Sequence, residues 1–184
     1  IKGLDNRHLV TTGHEGSIGT ESNVIFKSTH DDPNIDYLTI HIWPKNWGWF
    51  RPGRMEEDFA KFQEKTRAYL AMHIADAAML DKPLVIEEFG LPRDGASFDP
   101  AAATSLRDQY FQYIMSYVKA SQHVAGANFW AFGGTARPKA GQTFWKKGDE
   151  LMGDPPMEEQ GLNSVFDSDV STWKVIKTAG SRTN

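Results

Sequence analysis

Cysteine is absent from all 184 positions of the sequence. Disulfide bonds, thiolate nucleophiles and cysteine-bound metals are therefore excluded, but the compartment stays open because cysteine-free proteins occur in every one. No stretch approaches the roughly 18 uninterrupted apolar residues that a membrane-spanning helix needs. We therefore expect no membrane partner.

An excess of basic charge is also lacking, since the formal net charge is -4 at pH 7. DNA, RNA and anionic membranes are bound through basic protein faces. We therefore expect no nucleic-acid partner, and a neutral substrate fits this charge better.

The common motifs of metal, nucleotide and serine chemistry are missing as well. The sequence has no HExxH, GxSxG, Walker A or GxGxxG pattern. Its six histidines match no known metal-ligand spacing: the run His30-Asp31-Asp32 is interpreted as a polar turn, and His73 as a packing or surface residue of a helix. We expect neither a metal nor an organic cofactor.

Short apolar runs alternate with longer helical patterns, which is typical of βαβ units and a parallel sheet. The continuous apolarity of the short runs suits strands that are covered on both faces. The pattern predicts a single α/β domain. The four predicted strands are His8–Gly13, Ile35–Trp43, Pro83–Gly90 and Val124–Phe132.

Helices are predicted in the connections between these strands. Within Arg54–Leu80 the apolar residues recur at three- and four-residue steps, as in an amphipathic helix. Asp99 and Pro100 form an N-cap and N1 pair, which predicts a helix that reaches about Ser121. The remaining predicted helices are a short one in the polar connection His14–Asp32 and a last one that carries Trp173 and Ile176.

Two connections are too long to be plain linkers, namely Pro44–Arg54 and Gly133–Gln160. Both follow the carboxyl end of a predicted strand. In parallel α/β folds this is the side on which functional sites are assembled. We therefore expect the site among these loops and strand ends.

Glu87 and Glu88 directly follow the apolar run of the third strand. Successive strand side chains point to opposite faces, so at most one of the two faces a central site, and periodicity does not say which. A carboxylate at a strand end can serve as nucleophile or general base. The alternative is a structural ion pair with a basic residue such as Arg93, and the second carboxylate is expected to be paired outside the catalytic centre or at its margin.

His41 ends an apolar strand and is followed at once by a group of aromatic residues in a polar loop. Aromatic faces beside polar groups suit sugar rings, which have an apolar C–H face and a rim of hydroxyls. Core packing of a tryptophan-rich corner is the alternative. On the fourth strand, Trp130 shares the same sheet position and predicts a pocket wall. The loop tryptophans predicted to form a carbohydrate platform are Trp43, Trp47 and Trp49.

Together these stretches resemble glycoside hydrolase family 5, a family of retaining (β/α)8-barrel glycosidases, and within it the β-mannanases. The resemblance covers essentially the whole chain. It is carried by the stretches HLVTTGHEG, HIWPKNWGW, KPLVIEEFG, NFWAFGG and GDPPMEEQGLNSVFDSD.

The resemblance implies that Glu88 is the catalytic nucleophile and that His41 belongs to its hydrogen-bonding surroundings. It implies that Trp130 lies under the sugar that is cleaved. The family commonly has His-x-Tyr where this sequence has His41-Ile42-Trp43, so Trp43 is predicted as a substrate-pocket residue whose indole N–H can donate a hydrogen bond. The implied activity is hydrolysis of β-1,4-mannosidic bonds in mannan or manno-oligosaccharides.

The second carboxylate of a retaining glycosidase is not evident in this sequence. In the family it is the glutamate of an Asn-Glu pair on the fourth strand, and no Asn-Glu dipeptide occurs here. A whole barrel also takes about 250 residues. We therefore expect residues 1–184 to be the carboxyl-terminal half of one catalytic domain, with strands five to eight, whose partner is the amino-terminal half of the barrel.

By itself this polypeptide is expected to be inactive. The resemblance implies a secreted or periplasmic protein. The alternatives that stay open are an exo-acting β-mannosidase or a cellulase on the same scaffold, or a non-catalytic carbohydrate-binding barrel.

Overall fold

A computed structural model describes residues 1–180 of the chain. Helices and short strands alternate, and a 3₁₀ turn at Asp94–Ala96 precedes the third helix. The elements in chain order are α1 (Asn23–His30), β1 (Leu38–Ile42), α2 (Phe59–Leu80), β2 (Leu84–Phe89), α3 (Ser105–Ala120), β3 (Val124–Phe129), β4 (Phe132–Gly134), β5 (Val165–Phe166) and α4 (Val170–Gly180).

The central sheet has the strand order β1-β2-β3, and both pairings are parallel. Helix α2 connects β1 to β2, and helix α3 connects β2 to β3, so the sheet consists of two βαβ units. The predicted parallel α/β arrangement is therefore observed. Strands β4 and β5 form a second, two-stranded parallel sheet beyond the carboxyl end of β3.

The core lies between the sheet and the helices that connect its strands. Phe62 and Leu70 of α2, together with Phe111 and Ile114 of α3, are fully buried there. Each such side chain contributes about 1.5–3 kcal/mol through the apolar surface that it removes from water. Helix α2 ends at Asp81, which adopts the left-handed conformation that closes many helices.

One layer of buried polar contacts joins α3 to the start of α4. The guanidinium of Arg107 donates to three backbone carbonyls, and Arg93 donates to Asp169 at 2.7 Å. Both arginines are fully buried. The carbonyls that Arg107 reaches are those of Leu91, Leu162 and Ser164.

The first predicted strand, His8–Gly13, is not a strand in the structure. The backbone of this segment bonds to the β1 side through Val10, whose carbonyl accepts from Asp36 N–H at 2.8 Å and whose N–H donates to the Asp36 carboxylate at 2.6 Å. The other contacts there use side chains, as where Thr11 Oγ1 donates to the Tyr37 carbonyl. An apolar run without a ladder of backbone partners does not become a strand.

Other predicted boundaries also change. Asp99 accepts from the backbone N–H of Ala101 in a turn, and α3 begins only at Ser105. The predicted helix Arg54–Leu80 begins at Phe59. The predicted strand Val124–Phe132 is interrupted after Phe129, and its last residue starts β4. The short first helix and the last helix lie where they were predicted.

Candidate functional site

The carboxyl ends of β1, β2 and β3 bring the main predicted residues to one edge of the sheet. His41 belongs to β1, Glu87 and Glu88 belong to β2, and Trp130 directly follows β3. Because the three strands are parallel neighbours, these residues all lie at the carboxyl-terminal end of the sheet. The sequence-based expectation of a site at the strand ends agrees with this placement.

The imidazole of His41 lies between the two adjacent carboxylates. Its Nδ1 is 3.2 Å from Oε2 of Glu88, and its Nε2 is 3.3 Å from Oε2 of Glu87. The His41 side chain is 12% exposed, whereas those of Glu87 and Glu88 are 33% and 26% exposed. One buried ring therefore contacts two carboxylates that remain open to solvent.

The prediction that strand alternation separates Glu87 from Glu88 is wrong at this point. Ile40 pairs with Ile86, but His41 pairs with Glu88, so Glu87 is an extra residue in β2. Such an irregularity interrupts the alternation of side chains between faces. It allows both carboxylates to reach the same imidazole.

The alternative of an ion pair between this carboxylate pair and Arg93 is also wrong. Arg93 is fully buried and donates to Asp169 and to the carbonyl of Ala102. The partner of Glu87 is His41. Glu87 is therefore paired with the same ring that contacts Glu88.

Trp43 supplies a second donor to Glu88. Its indole N–H donates to Oε2 at 3.3 Å, and the side chain is almost fully buried. Gly90 leaves room for this indole, because a Cβ atom at Gly90 would lie 2.6 Å from Trp43 Cζ3 and 2.7 Å from the carbonyl oxygen of Trp130. The position of Trp43 therefore depends on the absence of a side chain at residue 90.

Trp130 is tied to β2 through its backbone. Its N–H donates to the carbonyl of Phe89 at 2.8 Å, and the peptide bond to Ala131 is cis. The side chain is half-buried. Its contact with a sugar stays a prediction.

Burial of the Glu88 carboxyl favours its protonated form by raising its pKa. Burial raises the pKa of the Glu88 carboxyl above its ordinary value, while His41 and the Trp43 N–H oppose this effect and Glu87 and Glu15 add to it. A carboxylate with a raised pKa is a common feature of catalytic centres. The group can attack an electrophilic carbon only in its ionised form.

Trp47 and Trp49 lie in the loop that follows β1 at the carboxyl end of the sheet. Their rings meet at a centroid distance of 5.0 Å, and both rest edge-on against Tyr69 of α2, at 5.4 and 6.0 Å. Both side chains remain half-buried. The structure thus shows the packing interactions of these tryptophans, and their role as a carbohydrate platform stays a prediction.

Sequence-based reasoning gave no role to the segment Glu15–Ser17. The carbonyl of Glu15 accepts a hydrogen bond from the backbone N–H of His41 at 3.1 Å, and the Glu15 carboxylate raises the pKa of Glu88. The one sequence feature that could have pointed to this segment is the polar stretch His14–Gly16, which precedes β1 by more than twenty residues.

Within residues 1–180, no group of three or more His, Asp or Glu side chains is arranged to hold a metal ion. In the same part of the chain, no helix is both long enough and apolar enough to cross a membrane.

A sheet of parallel strands with helices in the connections, and with a carboxylate pair and tryptophans at the carboxyl ends, is the arrangement found along part of a (β/α)8 barrel. Residues 1–183 match the family described as GH family 5 beta-mannosidase-like. The chain belongs to this family, and the fold class predicted from the sequence is confirmed.

Solved structures show the same relationship. The glycoside hydrolase family 5 mannosidase of Rhizomucor miehei is 33% identical, with a TM-score of 0.83 over 97% of this chain and 44% of that chain. Its E202A mutant has been solved in complex with mannosyl-fructose. The endo-1,4-beta-D-mannanase of Thermotoga petrophila, at 22% identity and a TM-score of 0.55, shows the fold alone.

Curated relatives carry mannanase names. Mannan endo-1,4-beta-mannosidase 2 of Arabidopsis thaliana is 32% identical over 148 residues, which are 72% of this chain and 33% of that protein. Putative mannan endo-1,4-beta-mannosidase 9 of Oryza sativa is 31% identical over 189 residues, with 96% of this chain and 40% of that protein covered. The chain thus spans about a third to two fifths of the length of these relatives.

Proposed function

We propose that this chain forms the carboxyl-terminal half of a retaining glycoside hydrolase domain that cleaves β-1,4-mannosidic bonds in mannan or manno-oligosaccharides. The observation that carries the proposal is the position of Glu88, which is held by His41 and Trp43 at the carboxyl end of β2. Family membership and the names of the relatives support the substrate class.

Glu88 is the nucleophile in this proposal. His41 and the Trp43 indole both contact Oε2, so Oε1 is the oxygen that we assign to the attack. It forms a bond to the anomeric carbon while the bond from that carbon to the leaving oxygen breaks. Water then attacks the same carbon, the glycosyl ester is cleaved, and Glu88 returns to its carboxylate form.

The acid/base is a second carboxylate, which must lie about 5–5.5 Å from Glu88 in a retaining enzyme. It protonates the leaving oxygen in the first step and takes a proton from water in the second. We assign it to the amino-terminal half of the barrel, on the strand that carries Asn-Glu in the family. That half-barrel is the proposed protein partner of this chain.

The substrate is proposed to lie along the aromatic side chains at the strand ends. Trp130 lies under the sugar at the cleavage point, and Trp43 closes the pocket beside Glu88. Trp47 and Trp49 are proposed to extend this platform by the parts of their rings that remain exposed.

Because a mannan polymer is too large to cross a membrane, we also propose that the enzyme acts outside the cytoplasm, as a secreted or periplasmic protein.

The test is the activity of variants in a restored barrel. The chain is produced with an amino-terminal family 5 half-barrel, for instance that of the Rhizomucor miehei mannosidase, and the release of mannose and manno-oligosaccharides is measured. Glu88→Ala and Glu88→Gln should each lower kcat by at least about a thousandfold, because no other group of this chain is assigned to attack the sugar. The rate of the unchanged enzyme should rise as the pH rises through the raised pKa of Glu88.

Glu64→Gln is the control, since Glu64 is an exposed residue of α2 whose partner is Arg67 on the same surface. It should leave kcat unchanged. Retained turnover in Glu88→Ala would contradict the assignment of the nucleophile. Robust turnover by the 184-residue chain without any second half would contradict the proposed origin of the acid/base.

An exo-acting β-mannosidase is the second candidate. The Rhizomucor miehei mannosidase structure is 33% identical to this chain, whereas the Thermotoga petrophila mannanase structure is 22% identical. Digestion of mannohexaose distinguishes the two modes of action. An exo enzyme releases only one terminal unit at a time from the start, and an endo enzyme gives internal products of two to four sugars at the earliest time points.

A further inference from the structure

Helix α2 contacts the segment Glu15–Ser17 through two buried polar side chains that the proposed mechanism does not use. Tyr69 Oη donates to the carbonyl of Glu15 at 2.6 Å. The backbone N–H of Ser17 donates to Nε2 of His73 at 3.2 Å. His73 is fully buried and Tyr69 is 6% exposed, so the contact is shielded from water.

The fit around Gly16 shows how closely the segment Glu15–Ser17 lies against the helix. Gly16 has a φ of +97°, and a Cβ atom at this position would lie 2.1 Å from Tyr69 Oη and 3.1 Å from His73 Nε2. It would also lie 3.0 Å from Ile40 Cγ2 of β1. The place of the segment is therefore set by side chains of α2 on one side and by β1 on the other.

The carbonyl of Glu15 links α2 to the site. It accepts from Tyr69 Oη and also from the backbone N–H of His41, at 3.1 Å. On the other edge of β1, the pairing with β2 shifts between Ile40 and His41. The Glu15 carbonyl therefore holds the His41 backbone on the edge of β1 that faces away from β2.

The protonation states of the two helix residues suit a permanent contact. Burial lowers the pKa of His73 to about 3, so Nε2 stays an acceptor for Ser17, and Nδ1 lies 3.2 Å from Oδ2 of Asp76. Burial also raises the pKa of Tyr69, so its hydroxyl stays a donor. Neither group therefore changes its protonation state near neutral pH.

We propose that Tyr69 and His73 are positioning residues for Glu88: by holding the segment Glu15–Ser17 they fix the His41 backbone and thereby the imidazole that lies between Glu87 and Glu88. The inference rests on the proposed role of Glu88 as nucleophile. It adds that the orientation of this carboxylate is determined in part by the second helix, which does not contact Glu88 itself.

The test compares two tyrosine variants of the restored barrel. Tyr69→Phe keeps the ring that packs on Trp47 and Trp49 and removes only the hydroxyl. Tyr110→Phe is the matched control, because the Tyr110 hydroxyl is also buried and bonds to Thr66, away from the site. The NMR signals of the His41 ring in each variant are compared with those of the unchanged protein.

We expect Tyr69→Phe to move the NMR signals of the His41 ring, and Tyr110→Phe to leave them unchanged, because only Tyr69 bonds to the carbonyl that accepts from the His41 backbone. His73→Leu, which removes the acceptor for Ser17, should act like Tyr69→Phe, whereas His73→Gln, which offers a side-chain oxygen, should restore the original signals. Unchanged ring signals in Tyr69→Phe would overturn the proposal, and so would unchanged ring signals in His73→Leu.

A kinetic measurement in the restored barrel gives a second check. Tyr69→Phe should lower kcat about tenfold with KM unchanged, because the sugar contacts stay intact while the nucleophile is less well oriented. A change in KM alone would overturn the positioning role. Because the NMR comparison needs no substrate, its result holds even if the restored barrel proves inactive toward mannosides, which would count against the proposed function alone.

Discussion

At the scale of single residues, the site depends on how three side chains share one carboxylate oxygen. His41 and Trp43 both contact Oε2 of Glu88, and Glu87 contacts the other nitrogen of the same imidazole. A protonated imidazole would stabilise both carboxylates, whereas a neutral one donates to only one of them. The family tyrosine is replaced here by Trp43, and the indole N–H fills the role of a donor to Glu88.

Gly90 provides a residue-scale prediction. Gly90→Ala should destabilise the chain by about 1–3 kcal/mol, because the added methyl group would collide with the Trp43 ring and the Trp130 carbonyl. The displaced indole would no longer donate to Glu88, so kcat of the restored barrel should also fall. Urea unfolding followed by tryptophan fluorescence measures the loss of stability.

Gly126→Ala is the comparison for this variant. Gly126 lies in β3 of the same sheet, and a Cβ atom there meets nothing within 4 Å. It should change the free energy of unfolding by well under about 1 kcal/mol. Equal stability of both variants would show that Trp43 can move without cost and that its contact with Glu88 is incidental.

The candidate site was predictable from the sequence in its residue types but not in its contacts. His41 and Glu88 lie together at the strand ends as expected, since parallel neighbours end on the same side. The double contact of His41 was not predictable, because the extra residue Glu87 depends on how β2 pairs with β1. The segment Glu15–Ser17 was missed because its role is carried by a backbone carbonyl, which every residue has.

At the scale of elements, α3 and α4 are held by polar contacts as well as by apolar packing. Arg107 of α3 reaches the carbonyl of Leu91, which follows β2, and those of Leu162 and Ser164, which precede β5. Burial lowers the pKa of Arg107 to about 10, which still leaves the guanidinium charged at neutral pH. The three carbonyls and the nearby Asp169 compensate for the buried charge.

Arg107→Met should therefore lower the free energy of unfolding by about 3–5 kcal/mol, because it leaves buried acceptors without their donor. Arg107→Lys should recover only part of this loss, since an ammonium group lacks the planar fork of donors. Arg67→Met, at an exposed pair with Glu64 on α2, should cost far less, because solvent screens this pair. A similar loss in Arg107→Met and Arg67→Met would contradict this account.

Helices and strands were predicted correctly where the local sequence pattern agrees with the contacts that the segment makes in the fold, and wrongly where the two disagree. Helix α2 and strands β1 and β2 combine an apolar pattern with neighbours on both sides, and they form close to their predicted bounds. The segment His8–Gly13 has the apolar pattern without a backbone ladder. Asp99 and Pro100 are typical of a helix start, but here the Asp99 side chain accepts from the Ala101 N–H in a turn.

At the scale of the whole molecule, the sheet is covered on one edge and open on the other. The outer edge of β1 receives the segment around Glu15, whereas β3, in the part of the chain described here, is hydrogen-bonded only to β2. Ala125 and Asn128 of β3 are exposed, and Phe132 beyond its end is 66% exposed. An open strand edge beside an apolar ring is prone to pair with another chain.

We therefore predict that the 184-residue polypeptide self-associates. Sedimentation analysis should show a mass that grows with concentration in the micromolar range, and addition of the amino-terminal half-barrel should replace this association by a one-to-one complex. Thermal unfolding of the complex should occur at a higher temperature than that of the chain by itself. A chain that stays monomeric at all concentrations would show that its edge is protected in some other way.

Because Glu87 is an extra residue in β2, the arrangement of the site depends on the number of residues in this strand as well as on their chemistry. Between Ile86 and Phe89, β2 carries one residue more than a regular partner of β1 would. Loss of a single residue here would restore an even ladder and turn one carboxylate away from His41, although every remaining side chain would keep its identity. Alignments that treat this stretch as freely gapped would therefore exchange Glu87 and Glu88.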